Sequence, residues 1–142
     1  MRTGSGVGYT VLELIVVLSI AAVTLAIAVP RAHRMLDSIA VHAASSDVAT
    51  VLATARALAL AGHAPVAVDI DSASGVLRVR RGTELLLAKN VGPLHGVSLG
   101  RTRDSLTYDG RGLGRGAANL SVVIRRGGVA DTVFVSRLGR VR

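Results

Sequence analysis

From Leu14 to Val29 the chain runs for 16 residues without a charge, broken only by Ser19 and Thr24. Taken as a helix, the segment Val11 to Pro30 spans ~30 Å, one bilayer core. A core-facing helix of a soluble domain would carry polar residues on its far side, so this segment calls for lipid or for other apolar helices. Beyond Pro30 the apolar residues Met35, Leu36, Ile39, Ala43, Val48, Val51, Leu52, Ala55, Leu58 and Ala59 recur at steps of mostly three and four, which predicts one amphipathic stripe. Gly62 and Pro65 mark the stop. The pattern therefore predicts a long helix from Tyr9 to Ala61 with a bend at Pro30, which removes one backbone donor. The small side chains Ala49, Ala53, Ala55, Ala57, Ala59 and Ala61 let a sheet approach that helix closely.

After Pro65 the period changes to two. Val66 to Ile70, Val76 to Arg80 and Glu84 to Lys89 read as strands, separated by turns at Asp71-Ser72-Ala73-Ser74-Gly75 and Arg81-Gly82-Thr83. Val97 to Leu99 and Leu106 to Tyr108 are shorter candidates. Leu120 to Arg126 and Thr132 to Arg137 flank Gly127-Gly128 as a hairpin with some bulge or slack. The fold class is thus α+β, a long N-terminal helix and then one antiparallel sheet. The second half of the helix is the large apolar surface available to cover that sheet.

The chain has 142 residues, with 17 Lys and Arg against 9 Asp and Glu, two Tyr, one Phe, no Trp and no Cys. Without Cys there are no disulfides, thiolate nucleophiles or cysteine-held metals. Three aromatics exclude a large stacking platform for nucleic acid. The formal charge of +8 is uneven: residues 1–30 sum to zero, 31–100 to +2 and 101–142 to +6. The basic C-terminal third reads either as a solvated face or as a surface for phosphates and anionic headgroups.

Two features of the first 31 residues need explaining. Ala28-Val29-Pro30-Arg31 offers an A-x-A-like cut after the apolar run, as in a secretory signal peptide. Glu13, in contrast, puts a carboxylate inside a segment suited to hydrocarbon, where ionisable groups are paired or functional. No Lys, Arg or His lies within four residues of it, so its partner comes from elsewhere. A free α-amine on a neighbouring copy, made by cleavage just before the helix, would serve.

Gly8-Tyr9-Thr10-Val11-Leu12-Glu13-Leu14-Ile15-Val16-Val17-Leu18 resembles the processing and assembly motif of type IV pilins and type II secretion pseudopilins. The resemblance implies that a prepilin peptidase cuts between Gly8 and Tyr9 and that Tyr9 is then N-methylated. It also puts Glu13 at mature position 5 and Pro30 at mature position 22, both assembly positions in that family. Most members have Phe where this chain has Tyr9. The implied organisation is a leader over 1–8, a transmembrane half-helix over 9–30, and a periplasmic domain over 31–142 with an amphipathic helix at 31–61 and a β-region at 65–142. Arg2 favours a cytoplasmic N terminus, an inner-membrane span and an exported C-terminal domain, while Arg31 and Arg34 oppose that orientation.

Further segments are similar to the GspH/FimT-type minor pilins: Ala49 to Leu60 with its Ala55-Arg56 pair, then Leu106-Thr107-Tyr108-Asp109-Gly110-Arg111-Gly112, and finally the ending Gly139-Arg140-Val141-Arg142. The glycine after Tyr108 comes one residue early for that group. The resemblance implies a type IV pilin-like fold and a minor pseudopilin of a type II secretion pseudopilus, with other pseudopilins or minor pilins and membrane lipid as partners. The alternative is a FimT-like minor pilin that binds DNA for transformation, because some members with a G-R-x-R ending capture DNA. Arg140 and Arg142, at i and i+2 of an extended segment, point to one side and form a fork for phosphates; the other reading is a tight bend at Gly139 with exposed cations. Arg137, Arg111 and Arg115 join them as candidate polyanion contacts.

Catalytic readings find little support. His33, His42, His63 and His95 lack metal-ligand spacing, so neither metal nor cofactor is expected. Asp69 and Asp71 are either an acid pair on one strand face or the start of a hairpin turn. Gly110-Arg111-Gly112-Leu113-Gly114 has no helix after it and reads as a loop.

Overall fold

The computed structural model describes residues 9–115, 119–136 and 138–142. It divides into two compact units, Met1–Met35 and Leu36–Arg142. One helix, α1 (Val11–Gly62, 52 residues), supplies the first unit and enters the second, and it remains helical through Pro30. Its apolar N-terminal part has an 18-residue window of mean hydropathy 2.7, and its large side chains are exposed from Val11 to Val29.

In the second unit α1 buries Val41, Ala44, Ser45, Val48, Val51, Leu52, Ala55 and Ala59. These recur every three or four residues, as one core-facing stripe requires. The predicted stripe matches this from Val48 onward, but Met35, Leu36, Ile39 and Ala43 are exposed. The helical phase is set by Val41 and Val48, and Ile39 lies nearly opposite them on the wheel.

Eight strands follow among the described residues: β1 (Val66–Asp71), β2 (Val76–Arg81), β3 (Glu84–Asn90), β4 (Ser98–Arg101), β5 (Ser105–Tyr108), β6 (Gly114–Arg115), β7 (Leu120–Arg126) and β8 (Val129–Val135), with a short helix α2 (Val91–His95) between β3 and β4. Instead of the single expected sheet there are two, a five-stranded one ordered β3-β2-β1-β5-β6 and a three-stranded one ordered β4-β7-β8. Every pair is antiparallel. The split arises at α2, after which the chain pairs β4 with the distant β7, a partnership that local periodicity does not encode. Both sheets turn alternate residues inward onto α1, so Val68, Val79, Leu106 and Tyr108 share one core with Leu120, Val122, Ile124 and Val133.

Two loop expectations change. Gly114 leaves the predicted glycine loop and, with Arg115, pairs with Tyr108 and Thr107. The last hairpin has no slack, since Arg126 pairs with Val129 directly across Gly127-Gly128. Gly127 has φ of 54°, a conformation glycine adopts without Cβ strain, and a Cβ there would collide with the Asp37 carboxylate. Asp69 and Asp71 belong to a hairpin: Asp71 accepts from the backbone N–H of Ala73 and Ser74, and the two carboxylates face Arg80 and Arg78 across the strand pair at 3.4 and 3.7 Å.

Candidate functional site

At the start of α1, Thr10 precedes the first helical residue and its Oγ1 accepts the Glu13 backbone N–H at 3.2 Å. The Thr10 carbonyl accepts the Leu14 N–H, also at 3.2 Å. These are the contacts of a helix N-cap, and Thr10-x-x-Glu13 has the spacing of a capping box. The sequence reading missed this second use of Glu13, although the four-residue pattern announces it. A carboxylate there also complements the positive end of the helix dipole. Gly8 lies outside the described residues; Tyr9 is exposed beside it.

The opposite end of the chain is built on β8. Phe134 and Arg142 exchange two backbone hydrogen bonds of 2.8 Å, and Ser136 N–H donates to the Arg140 carbonyl at 2.9 Å. Val135 and Val141 form the β-bridge between them. The last residues therefore add a strand to the β8 edge, with Val141 packed against the core and Arg140 and Arg142 exposed on the other side. The chain turns back at Gly139, whose N–H donates to the Ser136 carbonyl at 2.9 Å. Gly139 is buried with φ of 70°, and a Cβ there would strike the Gly112 carbonyl and crowd Arg56 and Tyr108.

Three segments that the sequence singled out separately thus meet at one point. Arg56 Nε donates to the Gly112 carbonyl at 3.0 Å, beneath Gly139. Asp109 fixes the intervening loop by accepting the N–H groups of Leu113 and Arg111 at 2.9 Å, and these bonds, Leu113 first, hold its carboxyl below the ordinary value. Tyr108 is fully buried without a hydrogen-bond partner for its hydroxyl among the described residues. Burial pushes its phenol up to about 12, with the Arg56 cation offsetting part of the effect.

Arg140 and Arg142 line one open groove of about 420 Å³ with Asn119, Ser121, Phe134 and Ser136. No carboxylate pairs with either arginine among the described residues. Of the other candidate cations, Arg111 sits on the Asp109–Leu113 loop, Arg115 on the edge strand of the other sheet, and Arg137 outside the described residues. Phe134 was missed by the sequence reading; its signal is that it alternates with the inward Val133 and Val135 and is therefore forced outward.

Two polar clamps hold α1 against the rest of its unit. Asp47 accepts from Lys89 at 3.1 Å and lies 2.8 Å from His95 Nε2; the His95 contact is the main cause that lowers its pKa, with burial opposing and Lys89 assisting. Asp37 accepts from Arg126 Nε at 3.0 Å while the same guanidinium donates to the His95 carbonyl at 2.6 Å. The described residues contain no group of three or more His, Asp or Glu placed to hold a metal ion.

A family model described as Type II transport protein GspH matches residues 44–139. Two crystal forms of the type IV minor pilin FimU from Pseudomonas aeruginosa PAO1 share the fold. The P21 form is 15% identical with a TM-score of 0.63, covering 72% of this chain and 86% of FimU. The P65 form is 13% identical with a TM-score of 0.61, covering 71% and 90%. No curated protein matches the chain.

Proposed function

The chain belongs to the GspH family of type II transport proteins, and from that premise we propose that it is a minor pseudopilin, processed between Gly8 and Tyr9, held in the inner membrane by residues 9–30, and incorporated through α1 into a type II secretion pseudopilus. The observation that carries this reading is the pairing of a family-matched domain with an exposed apolar helix long enough to cross a membrane. An exposed run of this kind is stable in lipid or among other such helices. Glu13 is the assembly contact: it meets the α-amine of the neighbouring subunit's first residue and so sets the register of the fibre. Pro30 ends the membrane half, and residues 31–142 face the periplasm. The protein acts by assembly and needs no catalytic centre.

Cross-linking and co-purification with the host's other fibre subunits tests the assembly role. Glu13→Val should insert into the membrane at least as well as the parent, because a carboxylate is removed from lipid, but recovery with fibre subunits should fall severalfold. Equal recovery would refute the pairing role. Deleting the gene should abolish export of folded proteins and leave piliation intact; the reverse outcome assigns the chain to a type IV pilus.

A second reading, that the chain binds DNA in a type IV pilus, is favoured by one observation: Arg140 and Arg142 open into the same groove, and among the described residues no acidic side chain pairs with either. Two such guanidiniums bind phosphates without regard to sequence.

A further inference from the structure

The groove at Arg140 and Arg142 is one corner of a larger surface. Ser121 pairs with Phe134 across β7 and β8, and Phe134 pairs with Arg142 across β8 and the last strand, so the three lie in one row. The neighbouring row, Leu120, Val135 and Val141, is the inward one. Alternation then puts Ser98 and Gly100 of β4, Val123 and Arg125 of β7, and Thr132 of β8 on the same outer face as Phe134,. The one acidic side chain on these strands among the described residues, Asp131, alternates with Thr132 and Ala130 and sits 3.8 Å from His42 of α1. Among the described residues the outer face therefore carries Arg125, Arg140 and Arg142 and no acidic side chain. Its centre is the chain's single Phe, 54% exposed.

We propose that this outer face of the β4-β7-β8 sheet, extended by the C-terminal strand, is a platform for single-stranded polynucleotide, with one base stacked on Phe134 and the backbone held by Arg140 and Arg142. The proposal rests on the DNA-binding reading above and narrows its ligand. A surface of cationic side chains with no acidic side chain among them selects a polyanion. A flat ring beside the cations selects one whose base faces are open, which a duplex hides within its stack. Side chains two apart on a strand are separated by about 6.7 Å, close to the step between phosphates of an unstacked strand. Asn119, Ser121 and Ser136 ring the groove with groups that bond base edges without requiring one base. With two Tyr and one Phe in the chain, the platform offers a ring to one base rather than to a row of them.

The test is a fluorescence titration of the full chain in non-ionic detergent with oligothymidylate of about a dozen nucleotides, and separately with a duplex of equal length. Wild type should prefer the single strand. Phe134→Leu keeps the apolar cover but loses the ring face and should weaken single-strand binding about tenfold, leave duplex binding unchanged, and be rescued by Phe134→Tyr. Arg140→Gln with Arg142→Gln should weaken both ligands and flatten the single-strand salt slope by about 1.4. Equal affinity for the two ligands, with Phe134→Leu silent, overturns the platform while the tail still binds phosphate. No binding of either ligand at low salt overturns both readings.

Discussion

Gly139→Ala separates a structural glycine from a functional one. At φ of 70° an alanine costs about 1–2 kcal/mol, and pressing its methyl into the Gly112 carbonyl and Tyr108 ring costs about 1–3 kcal/mol more. The strain of about 2–5 kcal/mol is comparable to what holds the last strand. The two Phe134–Arg142 bonds, the Ser136–Arg140 bond and the Gly139–Ser136 bond contribute about 0.5–1.5 kcal/mol each, and packing of Val141 adds about 1 kcal/mol. The cheapest relief is therefore release of the tail with the two sheets intact. Amide hydrogen exchange should show Phe134 and Arg142 losing protection, while the amides of β7 that pair with β4 keep theirs. Arg140→Ala, which removes charge without touching the turn, should protect Phe134 as wild type does. Wild-type protection of both amides in Gly139→Ala, with a melting temperature unchanged to within about a degree, would refute the reasoning.

Tyr108→Phe should resist alkali. The raised phenol favours the folded state fully below the ordinary tyrosine value near 10, and that contribution is lost as pH climbs toward about 12, so wild type should lose about 1.4 kcal/mol by pH 11 that the variant keeps in thermal melts; identical pH profiles would refute this. Asp47→Asn should destabilise the domain at neutral pH by weakening the contacts with His95 and Lys89, and chemical denaturation should detect it. Because the native Asp47 carboxyl is lowered from 3.8, its contribution is complete above that value and disappears as pH falls through the lower native one, so the variant's acid profile should be flatter below about pH 4; parallel profiles would show that the clamp carries no proton linkage.

What could be read in the sequence was what has a local period. The apolar run, the stop at Gly62, and the strands at Val66, Val76 and Glu84 follow from steps of 3.6 and 2 within a few residues. The division into two sheets was not legible, because β4 meets β7 some twenty residues later and an alternating strand is compatible with either neighbour. Helix α2 was missed because Val91-Gly92-Pro93-Leu94-His95 contains the two residues least suited to helix. At the tail the sequence showed a basic ending but not which residues accompany it. Arg56, Gly112 and Gly139 looked like unrelated motif fragments until folding stacked them, and Phe134 gained meaning once pairing set it beside Arg142.

The central claim is that α1 begins life behind a leader and ends as the anchor of a fibre subunit. Mass spectrometry of the protein purified from its native membrane tests this most directly. The account predicts a chain that starts at Tyr9, heavier by one N-methyl group, and an uncut precursor for Gly8→Val. A chain that starts at Met1, or one cut near Arg31 and freed from the apolar helix, would contradict it.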